Sequence, residues 1–323
     1  MGHSRKVFIH AVVLMLMSIV TLSFCVHPVT AKDFPEKDIT YMVSYAVGGK
    51  ADLMARSIAP YVQERLGVSL RIENYPGVVR IGLNKLWKSR SDGYTIGGLS
   101  LPAPVITELT SQTDYRSVEF TPIYAWNVSN HVLQTHSNGP KTLAELLQMA
   151  KGKQLTCAVG AFGTGAHLVG ILMTRGLGID VRWVHYNSGG EANTALAGGH
   201  VDLNIAGVTP QAASLAKSGK VRALLVAAEE RDPAFPDTPI PKELGYSFTI
   251  ICSMEGVVAP KGLPQDQLRR LERAFSEAVK DPRFVKWADE TKTQIVSLPS
   301  KAFGQKISEY YREVDKYKAY LKQ

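Results

Sequence analysis

The sequence predicts an α/β protein assembled from strand–loop–helix units on mostly parallel sheet. Three observations lead there. Residues 39–44 form an almost wholly apolar run, the pattern of a strand buried on both faces. The glycine pair Gly48-Gly49 follows and opens a segment where Met54, Ile58, Tyr61, Val62 and Leu66 recur at helical spacing. The theme returns mid-chain, where a strand over 154–159 runs into a glycine-rich loop over 160–167.

The first helix stops at Gly67, and Pro60 within it predicts a kink. Val68, Leu70 and Ile72 then alternate with Ser69, Arg71 and Glu73 as a second strand, which completes a β-α-β unit. Further on, a helix over 141–151 precedes the strand at 154–159, and the glycine-rich loop opens another helix. Strands over 181–186, 201–206 and 221–228 follow, separated by short helices over 189–199 and 210–219. Both glycine loops aim backbone N–H groups from a helix start, which favours a phosphate or carboxylate without needing a charged side chain. A P-loop is excluded: Ser44 stands where its first glycine belongs, and Ala51 replaces the magnesium-binding hydroxyl. A dinucleotide fingerprint needs three spaced glycines, and only the pair is present. A plain glycine turn with no ligand stays open for the first loop. Ligands in such sheets bind beyond the carboxyl ends of the strands. Two anion-friendly loops in separate units therefore suggest a cleft that grips a carboxylate from both sides.

The chain has 323 residues and a formal charge of +8. Arg5 and Lys6 precede an apolar run over 7–26, and Val29-Thr30-Ala31 offers small residues for cleavage. Residues 1–31 thus read as an export signal, with an uncleaved anchor as the alternative. Removing them takes two bases and no acid, leaving +6 on a soluble periplasmic protein. No basic stripe with interleaved aromatics is present, so nucleic acid is not an expected partner. Cys157 and Cys252 survive processing. An oxidising compartment permits a bridge between them, though two buried free thiols is the plainer reading. Cys/His metal spacing is absent, and neither metal nor cofactor is expected.

A series of short motifs runs through the chain in a fixed order. It starts with Gly48-Gly49-x-x-Asp52 and Ala55-Arg56, then Glu73-Asn74-x-Pro76-Gly77 and Asp92-Gly93-Tyr94-Thr95. Gly163-Thr164-x-x-His167-Leu168, Tyr186-x-x-Gly189-Gly190 and Gly198-Gly199-x-Val201-Asp202 follow. Arg231-x-Pro233-x-x-Pro236-Asp237-x-Pro239 and Gly256-x-x-Ala259-Pro260 close the set. In these motifs the chain resembles the Bug proteins, the periplasmic solute-binding proteins of tripartite tricarboxylate transporters. The resemblance spans nearly the whole mature chain. It implies a two-domain periplasmic-binding-protein-like (Venus flytrap) fold with crossing hinge strands near 131–136 and 249–256. Domain one would be residues 32–133 and 254–323, and domain two residues 134–253.

The resemblance also implies a monomer that traps a small mono-, di- or tricarboxylate, aliphatic or aromatic, and passes it to transporter membrane subunits without turning it over. Tyr45, Ala46, Val47, Gly48, Gly49, Lys50 and Asp52 would form one grip, and Ala161, Phe162, Gly163 and Thr164 the other. Ser100, His167, Tyr186, Gly189, Gly207 and Glu255 would complete the site. Several positions depart from the family pattern. Ser44 and His185 replace prolines, and Gly160-Ala161 replaces a Ser-Gly pair. Lys50 adds a cation, Ala206-Gly207 lies where an acid is common, and Met254-Glu255 replaces an aromatic pair. An acid gone and an acid gained point to an altered distal end of the ligand.

Each singled-out residue also has a structural reading. Asp52 and Thr164 suit helix caps. Lys50 suits solvent, His167 a structural hydrogen bond, and Glu255 a pair with a lysine of its own protein. Phe162 and Tyr186 suit either cleft walls or core. An exported enzyme acting on an anionic substrate would need a nucleophile with a base, and no motif ties Thr164, His167 and Glu255 together. A ligand sensor on the same fold is the third reading.

Overall fold

Ile39, Tyr41, Met42 and Val43 are all buried, and together with Thr40 they form β1 (Ile39–Val43), as their apolar run dictates. The computed structural model describes residues 34–77 and 79–321, so the expected export signal lies outside the described residues. Helix α1 (Lys50–Leu66) buries Ala55, Ile58, Ala59, Val62 and Leu66 along one side. Gly67 ends it at φ +77°, a left-handed conformation that a side chain disfavours. The helix continues through Pro60. Then come β2 (Leu70–Asn74), α2 (Val79–Trp87), β3 (Thr95–Leu101), α3 (Ala103–Thr110) and β4 (Thr121–Ser129).

After the single residue Asn130, β5 (His131–His136) starts a second sheet. It is followed by α4 (Leu143–Met149), β6 (Leu155–Val159), α5 (Gly165–Leu177) and β7 (Val181–His185). Helix α6 (Gly189–Ala197), β8 (Leu203–Gly207), α7 (Pro210–Lys217) and β9 (Val221–Ala227) complete this lobe. The chain returns to the first sheet as β10 (Ser253–Ala259). It ends with α8 (Gln265–Ala278), α9 (Pro282–Thr291), β11 (Gln294–Pro299) and α10 (Ser300–Tyr317).

The first sheet has the order β11-β4-β10-β3-β1-β2, and the second β7-β6-β8-β5-β9. Parallel pairing joins β1 to β2 and β3, and β6 to β7 and β8. The rest is antiparallel, so the sheets are mixed rather than mostly parallel. The reason is topological. Strands β5 and β10, the first strands after each passage between lobes, run against the direction of the β-α-β units, whereas β4 and β9 run with them. Residues 131–133 pair with β8 and β9, so β5 belongs to the second sheet from its first residue. In each lobe the strand order reverses beside β1 or β6, which places a crevice at their carboxyl ends.

The first lobe packs α1 and α8 over one sheet face, where Trp126 stacks on Phe275 with ring centroids 5.7 Å apart. On the other face, Phe303 of α10 lies against Gly256, leaving no room for a Cβ. Asp281 caps α9 by accepting the Arg283 N–H at 2.9 Å. Its carboxylate also takes the guanidinium groups of Arg283 and Arg65, each at 2.8 Å. Hydrogen bonding from Arg283, with Arg65 in support, holds the Asp281 carboxyl well below the usual range.

Candidate functional site

A cavity of about 460 Å³ opens between the lobes at these carboxyl ends. Three helix starts, one from lobe one and two from lobe two, face it. Gly49 is the N-cap of α1 in extended conformation and offers no side-chain cap. Among the described residues, the N–H groups of Lys50, Ala51 and Asp52 find no acceptor. On the opposite wall, Ser188 caps α6 by accepting from Glu191 N–H at 3.2 Å, and Gly189 and Gly190 line the cavity. Thr209 caps α7 by accepting from Ala212 N–H at 3.2 Å, with Gly207, Pro210 and Gln211 alongside. Backbone N–H groups and aligned dipoles at such starts attract negative charge.

Strand register builds a polar floor beneath Lys50. In antiparallel pairing Glu255 stands opposite both Ser100 and Asn127, and Ser253 opposite Ser129, so these side chains share one face. Ser100 Oγ donates to Glu255 Oε2. Lys50 Nζ donates to Ser129 Oγ and lies 3.8 Å from Glu255 Oε1. The Lys50 side chain is 30 % exposed and that of Glu255 6 %. Burial lowers the Lys50 pKa and the Glu255 charge only partly restores it. Burial and the same carboxylate push the Tyr45 hydroxyl up. Glu255 thus pairs with a lysine of its own protein, Lys50.

A second polar cluster forms another part of the wall. Buried Asp232 accepts from Asn130 Nδ2 at 2.9 Å, Gln294 Nε2 at 3.0 Å and Ala234 N–H at 2.9 Å. The free thiol of Cys252 donates to Asn130 Oδ1 at 3.1 Å, and Cys157 is likewise free. Lys292, left-handed at φ +54°, brings an exposed cation to the rim.

Of the residues expected at the site, Gly48, Gly49, Lys50, Gly189 and Gly207 line this cavity, while Ser100 and Glu255 lie behind Lys50. Asp52, in the first turn of α1, ties the preceding loop to the helix. Its carboxylate accepts from Gly48 N–H, Arg56 Nε and Asn74 Nδ2, each at 2.9 Å. Burial alone would raise its pKa, but Arg56, Gly48 and Asn74 hold it below the ordinary value. Ala46 and Val47 are exposed, and the carbonyls of Tyr45 and Ala46 accept from Asn74 Nδ2 and Gly49 N–H.

The loop before α5 does not line the cavity. Thr164 Oγ1 accepts from His167 N–H at 3.4 Å, Thr164 N–H donates to Ala161, and Gly163 N–H donates to His167 Nδ1 at 3.4 Å. The Phe162 ring lies 4.9 Å from His167 and 5.4 Å from His185. His167, buried against Trp183 as well, is lowered to about 4 by burial and the charge of His185. Tyr186 is half-buried against the apolar cluster of Ala158 and Leu196. Sequence reasoning missed Asn127, Ser129, Ser188, Thr209, Gln211, Asp232 and Gln294, all on the cavity wall. Ser188 with Glu191 and Thr209 with Pro210 were legible as helix starts.

No group of three or more His, Cys, Asp or Glu among the described residues is placed to hold a metal ion. No described helix is long and apolar enough to cross a membrane.

Comparison with known proteins gives a consistent result. Residues 54–322 match the sequence pattern of the tripartite tricarboxylate transporter family receptor. The chain is 30 % identical to Protein BugT of Bordetella pertussis over 288 residues, 86 % of this chain and 87 % of that one. Its fold superposes on the periplasmic binding protein BugD with a TM-score of 0.79 at 25 % identity, covering 90 % of this chain and 100 % of BugD. MatC of Rhodopseudomonas palustris, solved with bound malate, gives 0.78 at 26 % identity over 88 % of this chain and 100 % of MatC.

Proposed function

Because the chain belongs to the tripartite tricarboxylate transporter receptor family, we propose that it captures a small carboxylate between its lobes and delivers it to the membrane subunits of such a transporter. The observation that carries this reading is the cavity itself. Helix starts from both lobes converge on it, and Lys50 adds a cation at the floor. The malate bound by MatC is a ligand of the proposed kind. Each charge-assisted hydrogen bond contributes about 1.5–3 kcal/mol, so a handful reaches micromolar affinity, about −8 kcal/mol, after the costs of association.

The lobes act as two domains that meet at Asn130 and again over residues 228–252, and they close on the ligand by bending there. Export to the periplasm with loss of residues 1–31, a monomeric state and binding without turnover belong to the same proposal. A carboxylate panel tests it by thermal shift, with small-angle scattering on each ligand that binds. A cognate acid at a hundred times its Kd adds about 2.7 kcal/mol of stability and shrinks the radius of gyration. A panel in which no carboxylate stabilises the protein, or saturation with no change in scattering, rejects the trap.

A further inference from the structure

Asn127 sits within β4, lines the cavity and is 2 % exposed. Its Nδ2 donates to the carbonyls of Val128 at 3.1 Å and Gln294 at 2.9 Å. Both acceptors are carbonyls, so the nitrogen end of the amide is fixed by its partners. The oxygen end, Oδ1, receives no hydrogen bond. A buried acceptor in this state bears its desolvation penalty without return. Among the described residues, none of the other unpartnered buried side-chain atoms belongs to a residue of the cavity wall.

The surroundings do not supply the missing donor. Directly across the sheet stands Glu255, a carboxylate already engaged by Ser100 and Lys50. On the other side stands Ile295. Elsewhere on the wall, Asp232 is a second acceptor, its oxygens facing Asn130, Gln294 and Ala234. The cavity is thus two-ended. The helix starts present donors, whereas the wall near Asn127 and Asp232 is built around buried acceptor oxygens.

Resting on the carboxylate reading above, we propose that Asn127 is a specificity-determining residue. It selects carboxylates that also carry a hydrogen-bond donor, a hydroxyl or an ammonium. The carboxylate sits at the start of α1 and the donor group completes Asn127 Oδ1. A second carboxylate in that position would set oxygen against oxygen beside Glu255. A plain hydrocarbon there would leave Oδ1 unpaired, and sites built around a polar partner discriminate strongly against ligands that lack it.

Calorimetry on acids matched except for the donor tests the proposal: malate against succinate, lactate against propionate, alanine against propionate. The donor-bearing member binds about tenfold more tightly. The lactate and alanine arms tell hydroxyl from ammonium. In Asn127→Leu the ratio falls to about one. A wild-type ratio near one overturns the inference and leaves carboxylate capture standing. A ratio preserved in Asn127→Leu removes Asn127 from the role. A panel in which no carboxylate binds overturns the functional reading, and this inference with it.

Discussion

The Lys50–Glu255 pair allows a quantitative test of how the floor sets the cavity's charge. At 3.8 Å two unit charges attract by about 4 kcal/mol at an effective dielectric of 20. Lys50 is 30 % exposed, so solvent screens part of this and about 1–2 kcal/mol remains to be felt by a nearby ligand anion. Glu255→Gln should therefore tighten a monocarboxylate roughly tenfold by releasing Lys50 to the ligand. Lys50→Met should weaken it by a similar factor, because Glu255 then opposes the anion alone. Removing both takes away a neutral pair, so the double variant should bind within about threefold of the parent. Calorimetry of all four proteins under one set of buffer conditions closes the cycle. If Lys50→Met and the double variant bind equally, the carboxylate exerts no field in the cavity and the coupling argument is wrong.

Two further outcomes concern stability. His131 and His167 are buried and lowered to about 3 and 4, mainly by burial, while an unfolded chain takes up protons near 6.5. Their contribution is complete above pH 6.5 and lost as pH falls towards these values. By pH 4.5 His167 alone should account for about 2–3 kcal/mol, seen as a flatter pH profile of urea unfolding in His167→Gln. Asp281→Ala should cost about 2–3 kcal/mol by removing the α9 cap and leaving Arg65 and Arg283 without their shared carboxylate. Its urea midpoint should drop with ligand affinity unchanged.

The β-α-β unit at the start of the described chain was readable because its signals are local: an apolar run, a helical repeat and Gly67. The glycine pair that opens α1 was readable for the same reason. The Lys50–Glu255 pair was not, since 205 positions separate the residues and only the register of β10 against β3 and β4 brings them together. Asn127 left a faint trace as a polar residue inside the otherwise apolar run Ile123–Val128, a pattern that periodicity alone treats as noise. The loop over 161–164 lies outside this cavity. Its glycines suit an anion, but Phe162 packs onto His167 and His185, and His167 takes the Gly163 N–H. Lobe two instead presents Ser188–Gly190 and 207–211, short segments whose convergence depends on how α6 and α7 are stacked.

The place of β10 has a consequence for how the molecule is made. It lies between β3 and β4 at the centre of the first sheet, yet it is encoded after the whole of lobe two. During synthesis, residues 131–227 emerge as one continuous segment able to close its own sheet. The first lobe meanwhile waits with facing edges of β3 and β4 unpaired, each a template for wrong strand addition. Closure of that gap spans more than 150 residues from Leu101 to Ser253, a long-range pairing of the kind that slows folding. Chains interrupted before residue 253 carry an open slot through the middle of a sheet, which makes truncated products the aggregation-prone form of this protein.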